Sequence, residues 1–190
     1  MAVLRDVGLS LKKLLQQKIT ELSQENSIIF ESPADIEPTA NPRLSIFLYQ
    51  VAENTYLRNT GSEPVNTDRM RYPPLTLDLH YIFTPYHQNR EIELIILERL
   101  MQVFHDNPVI RDAMLEGSLK ESGNDEIRIV SNNLKLEEIS QLWERFPNKA
   151  FKISISYILT PVRIPSEKEP VKVAKVKEKD IRVLVTDTVR

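Results

Sequence analysis

Three histidines, His80, His87 and His105, are the side chains of this 190-residue chain best suited to proton transfer or metal binding near neutral pH. With Asp78 nearby, His80 and His87 form a nominal three-ligand set for a metal-assisted hydrolase. The spacing argues against it. Partners on one strand face recur at i and i+2, His87 lies beyond Thr84-Pro85, and no HExxH-type pattern exists. His105-Asp106 reads as a cationic or dipolar helix end rather than an acid–base pair. No GxSxG elbow, P-loop or GxGxxG occurs, and only four glycines are present to build one. Glu91, Glu93 and Glu98 read as solvated residues of a helix rather than paired catalytic carboxylates. The expectation is a chain with no catalytic residues, no metal and no cofactor.

Arg58, Arg69, Arg71 and Tyr72 are the residues best suited to a nucleic acid, since arginines grip phosphate and a tyrosine stacks on a base. Glu53, Glu63 and Asp68 dilute that field, and the net charge of −2 lacks the basic excess of a general binder. An arginine-rich loop that pairs with carboxylates of a neighbouring subunit is the better reading. Cysteine is absent, which excludes disulfides, thiol nucleophiles and thiolate metal sites. The first residues lack the order of a secretory signal, and no stretch approaches the roughly 20 apolar residues of a membrane helix. Synthesis and folding in the cytoplasm are expected, without membrane or nucleic-acid partners.

The elements that must position these residues are legible from periodicity. Val3, Val7, Leu11, Leu14, Leu15, Ile19 and Leu22 predict an amphipathic helix over 2–24, and Ser27 to Phe30 a short strand. Residues 31–42 hold three prolines and read as a loop. Residues 43–52 predict a strand covered on both faces, with Leu44, Ile46 and Leu48 on one and Phe47, Tyr49 and Val51 on the other. A long polar connection, 53–73, leads to an alternating strand over 75–83 that Thr84-Pro85 should end. Residues 91–105 predict a helix buried through Ile92, Ile95, Ile96, Leu100, Val103 and Phe104. Asn107-Pro108 then predicts a short helix to about Glu116. A strand at 126–130, a helix at 136–146 stopped by Pro147, and a strand at 151–159 ended by Thr160-Pro161 complete the core. The fold class is α+β: a mostly antiparallel sheet with helices packed on it. After Pro165 the composition changes. Residues 166–190 carry net +2 and alternate valines with lysines, so 1–165 reads as one domain and 166–190 as an extended arm with a β-prone end.

Four segments also carry a resemblance. FLYQVAENTYLRN (47–59), PPLTLDLHYIFTPY (73–86), LERLMQVFHDNPVI (97–110) and ISQLWERFPNKAFKISISYILTPVRI (139–164) resemble, in order, the blocks of one family. It is the N-terminal domain family of the cap, or tail terminator, proteins of extracellular contractile injection systems, phage-tail-like particles of the antifeeding-prophage and virulence-cassette type. The resemblance covers about residues 2–165. It implies a phage-tail-terminator-like fold and a non-enzymatic part of the released particle. Such a part is a hexameric ring that sits on the last inner-tube ring, holds the last sheath ring and ends growth of both. Another structural adaptor of the same particle, at baseplate or sheath, is the alternative. Within the matching blocks, Asn54, Arg58, Asn59, Asp78 and His80 are candidate subunit, tube or sheath contacts. Composition alone adds Arg69, Arg71 and Tyr72 of the long connection, and Val171, Val173, Ile181, Val183 and Val185 of the arm.

Overall fold

The computed structural model describes residues 2–58, 61–64, 69–146 and 149–172. Contacts divide the chain into two compact units, Met1–Asn59 with Pro74–Pro165, and Thr60–Pro73 with Ser166–Arg190.

The larger unit opens with helix α1, Val3–Lys18. Its apolar residues fall at helical spacing, so Val7, Leu11 and Leu15 are wholly buried, and Ile19 and Leu22 continue that stripe past its end. A six-stranded sheet follows in the spatial order β1-β2-β5-β8-β7-β6. Its strands are β1 (Ile28–Ile29), β2 (Arg43–Glu53), β5 (Leu75–Tyr86), β6 (Val109–Arg111), β7 (Glu126–Ser131) and β8 (Ile155–Ile164). All neighbours pair antiparallel except β1 and β2. Helix α2, Arg90–Asp106, starts at Asn89, whose side chain accepts from the Glu91 N–H at 2.9 Å. One sheet face, including Ile46, Leu79, Phe83, Ile127 and Leu159, shares a core with α1 and with Ile96, Leu100 and Phe104 of α2. The opposite face is covered at one end by α3, Leu136–Trp143, where Trp143 and Phe146 meet edge-to-face and Phe146 meets Phe47.

Both Thr-Pro pairs lie inside strands, contrary to expectation. Beyond Phe83, β5 has lost its β8 partner and pairs only with β2. A proline there forfeits no hydrogen bond on the free side. Pro161 falls where the β5–β8 register shifts between Leu77 and Leu79, an irregularity that takes up a residue without an N–H. A second shift, between Leu48 and Gln50, reverses the alternation of β2 and sets Val51 opposite Leu79. The helix expected after Pro108 is a strand. Asn107 instead closes α2 by donating its side-chain N–H to the Val103 carbonyl at 2.8 Å, and Val109–Arg111 pairs with β7. Along α2, Leu97 is buried and Ile95 is 42% exposed, the reverse of the expected stripe. The expected stop at Pro147 lies outside the described residues.

The smaller unit holds a three-stranded sheet of β3 (Glu63–Pro64), β4 (Arg69–Arg71) and β9 (Val171–Lys172) in the order β3-β4-β9. The long polar connection is thus partly strand, paired with a segment about a hundred residues later.

Two buried carboxylates organise the larger unit. Asp6, 1% exposed, accepts from the N–H and the hydroxyl of Ser118, each at 2.9 Å, and pairs with Arg5. Glu93 is also 1% exposed and therefore not the solvated helix residue that its neighbours Glu91 and Glu98 suggested. It pairs with Lys152 and Arg90 and accepts from the His87 N–H at 3.0 Å.

Candidate functional site

The polar residues of the two central motifs meet on the sheet face opposite the main core. Asn54, just beyond β2, donates through Nδ2 to Asp78 Oδ1 at 2.8 Å and to Thr160 Oγ1 at 3.3 Å. The Thr160 hydroxyl donates to the same carboxylate oxygen at 2.5 Å, so three strands are tied at one atom. The Asn54 Oδ1 accepts from the N–H groups of Tyr56 and Leu57 at 3.1 and 3.0 Å, which fixes the turn leaving β2. Asn54 is buried and fully engaged, so it holds the turn and ties the strands, while Asp78 is half-buried and is engaged through one carboxylate oxygen. Replacing Asp78 by alanine removes the acceptor that the Asn54 amide and the Thr160 hydroxyl share, leaving them only their own longer contact. A loss of about 2 kcal/mol is expected in urea unfolding, with Asp78→Asn costing less because its side-chain oxygen still accepts.

His80, one turn of the pleat away, stands edge-on to Tyr49 with ring centroids 6.0 Å apart. Burial pushes its imidazole down from the ordinary range, against a smaller upward pull from Asp78, so the ring is neutral at pH 7. Tyr49, in turn, shares hydrogen bonds with Asn132 and Ser156. His80, Tyr49, Asn132 and Arg145 line a shallow groove of about 360 Å³ beside α3. His87 is elsewhere. Its Nδ1 accepts from the Asn89 N–H and its Nε2 donates to the Ala40 carbonyl, both at 2.8 Å, which fixes one neutral tautomer. Asp78, His80 and His87 are therefore not brought together, and among the described residues no group of three or more His, Asp or Glu is arranged to hold a metal.

The arginines divide between the two units. Arg58 pairs with Glu53 at 3.5 Å, an exposed contact. Arg69 and Arg71 are exposed on β4, with Lys172 opposite Arg69 and Val171 opposite Met70. Lys168 stands over the Tyr72 ring at 4.9 Å. Asn59, Val173, Ile181, Val183 and Val185 lie outside the described residues.

Two features escaped the sequence. Tyr56, at the tip of the turn pinned by Asn54, is 93% exposed. At the other end of the β2–β5 ladder, Tyr86, Trp143, Phe151 and Pro33 help to line a cavity of about 440 Å³. Trp143 is buried, and its indole N–H finds no acceptor among the described residues. Only the polar context of NTYLRN hinted at the exposed tyrosine. Nothing local marks the cavity, whose walls come from three distant segments.

The model of one protein family, the Pvc16 N-terminal domain, matches residues 6–178. The chain belongs to this family. Among solved structures, the sheath/tube terminator of the PVC extracellular contractile injection system in its extended state is similar over 97% of this chain. The TM-score is 0.66 at 18% identity. The tube-terminating cap of the anti-feeding prophage is similar over 93%, with a TM-score of 0.63 and again 18% identity. This member of the Pvc16 N-terminal domain family spans 64% and 60% of those two chains. At such identity the likeness establishes the fold: the α+β arrangement is shared. No curated protein sequence matches the chain. Among the described residues, no helix is long and apolar enough to cross a membrane.

Proposed function

We propose that this chain is the terminator of a contractile injection particle. It forms a homohexameric ring on the end of the inner tube and sheath, and stops the growth of both. The observation that carries this reading is family membership over residues 6–178 together with a fold shared with two tube terminators. The role is structural and non-enzymatic, and the partners are the tube protein, the sheath protein and other copies of the chain. It is assembled in the cytoplasm and leaves with the released particle.

The physics supports such a role. A tube of head-to-tail subunits exposes a usable interface at each end. A ring that matches this interface on one face and does not repeat it on the other ends the polymer. Several equivalent contacts made at once turn individually weak ones into a firm stop. In this reading the groove beside His80 and, separately, the exposed Arg69 and Arg71 are contact surfaces, while Asn54 and Asp78 hold the sheet face beside that groove.

The test is electron microscopy of particles from cells lacking the chain. Long, uneven or naked tubes are expected, restored to uniform length by the intact protein. Particles of normal length and occupancy would remove the terminator reading and leave an adaptor at baseplate or sheath.

A further inference from the structure

We propose that the basic face of the three-stranded sheet in one copy docks on the carboxylates around β1 in another copy. This rests on the ring reading above and names the partner of Arg69 and Arg71.

Strand register assembles the basic face. Residues at i and i+2 of a strand share a sheet face, and so do residues directly opposite across a ladder. Arg69 and Arg71 of β4 therefore share a face with Lys172 of β9, the partner of Arg69, while Met70 and Val171 are paired on the other. All three cations are exposed. Glu63, opposite Arg71, is the one acidic position in register with them among the described residues. Lys168, over the ring of Tyr72, adds a further cation just past β4. None of Arg69, Arg71 and Lys172 has an ion-pair partner among the described residues.

The carboxylates are gathered in one stretch of the larger unit. Residues 19–42 hold five acidic side chains and no lysine or arginine. They run into and out of β1, the border strand of the six-stranded sheet. Glu25 lies in the turn before β1, Glu31 two residues after it, and Asp35 in the next short turn, Pro33–Asp35. These three are exposed and without an ion pair among the described residues, whereas Glu37 is taken by Lys149. Collected by sign on two surfaces, the charges give one copy a local potential complementary to that of another, which selects the partner and its orientation. Arginine suits the task, because its planar fork takes a carboxylate through two parallel hydrogen bonds. A nucleic acid fits less well, since the chain carries a net charge of −2 and itself supplies the carboxylates.

A water-soluble carbodiimide tests this on the native residues, because it joins a lysine amine to a carboxylate only where the two touch. In purified particles, Lys172 is expected to be joined to Glu25, Glu31 or Asp35, in a species of at least twice the mass of the chain. Lys172→Arg keeps the charge and should abolish that product. Arg69→Glu with Arg71→Glu should lower incorporation into particles by about tenfold or more. Adding Glu31→Lys with Asp35→Lys should restore it, which no repair of a misfolded chain would do. Lys172 left unjoined, joined within a single chain or joined to a different protein overturns the contact and leaves the terminator reading standing. So does a fourfold variant no better incorporated than the arginine pair. Retention of the chain on single-stranded DNA, lost in the arginine pair and with no joined residues in particles, overturns the contact in favour of a polyanion. A chain absent from the particles overturns the terminator reading. Carbodiimide treatment of the concentrated purified chain then decides the contact alone: dimers joined at these residues support it, and unjoined monomer overturns it.

Discussion

Gly117→Ala is expected to destabilise the larger unit by about 3 kcal/mol, near the top of the range for one substitution. Two effects add. Gly117 has φ +59, where an added Cβ costs about 1 kcal/mol. That Cβ would also stand 2.4 Å from the Asp6 carboxylate carbon. The carboxylate cannot swing aside, because Ser118 holds one oxygen through two hydrogen bonds and Arg5 holds the other. Gly123 separates the two effects. It has φ +79 but nothing within 4 Å of an added Cβ, so Gly123→Ala should cost about 1 kcal/mol. Urea unfolding of both variants checks the prediction, and equal losses would show that the Asp6 contact yields.

Lys152→Ala is expected to cost about 3–5 kcal/mol, because it leaves Glu93 buried without its closest cation. Arg90, 70% exposed, is the remaining cation and sits on the solvent side. The paired change Glu93→Leu with Lys152→Met should recover most of that loss, since an apolar pair of similar volume removes the desolvation cost along with the attraction. The same carboxylate sets an acid limit. Burial alone would push the Glu93 carboxyl up, but hydrogen bonds from Lys152, the His87 N–H and Arg90 hold it below its ordinary value. The Ser118 N–H holds Asp6 low as well, with Arg5 and the Ser118 hydroxyl adding, against the cost of burial. A depressed carboxyl stabilises the fold fully above the unfolded value, near 4, and loses that contribution as pH falls through the folded one. Thermal unfolding should therefore hold steady from pH 7 to about 5 and drop below about 4. In Lys152→Ala the acid step attributable to Glu93 should shrink.

The sequence was readable where one element decided the outcome. Val7, Leu11 and Leu15 mark the buried stripe of α1, and Leu79, Tyr81 and Phe83 mark the core face of β5, because periodicity reports burial on a single neighbour. It was misleading where pairing came from elsewhere. Pro85 and Pro161 read as strand ends, yet each sits where the ladder has a free side or a register shift, a property of the partner strands. Asn107-Pro108 carries a valid local helix signal, overruled by the pairing of Val109–Arg111 with β7. Glu93 looked like any acidic residue of a helix until Lys152, 59 residues away, was placed against it. Within the candidate site, the blocks holding Asn54, Asp78 and His80 were legible as a group. Their separate tasks were not, because the Asn54–Asp78–Thr160 tie exists only once three strands are aligned.

The strand pairing of the smaller unit has a consequence for the order of events on the ribosome. Strands β3 and β4 leave early, but a two-stranded ribbon on its own is marginal in water. Its third strand, Val171–Lys172, is synthesised only after β8 has already supplied the last strand of the larger sheet. The β3–β4 ribbon therefore waits for its third strand while the larger sheet completes itself, and closes after it.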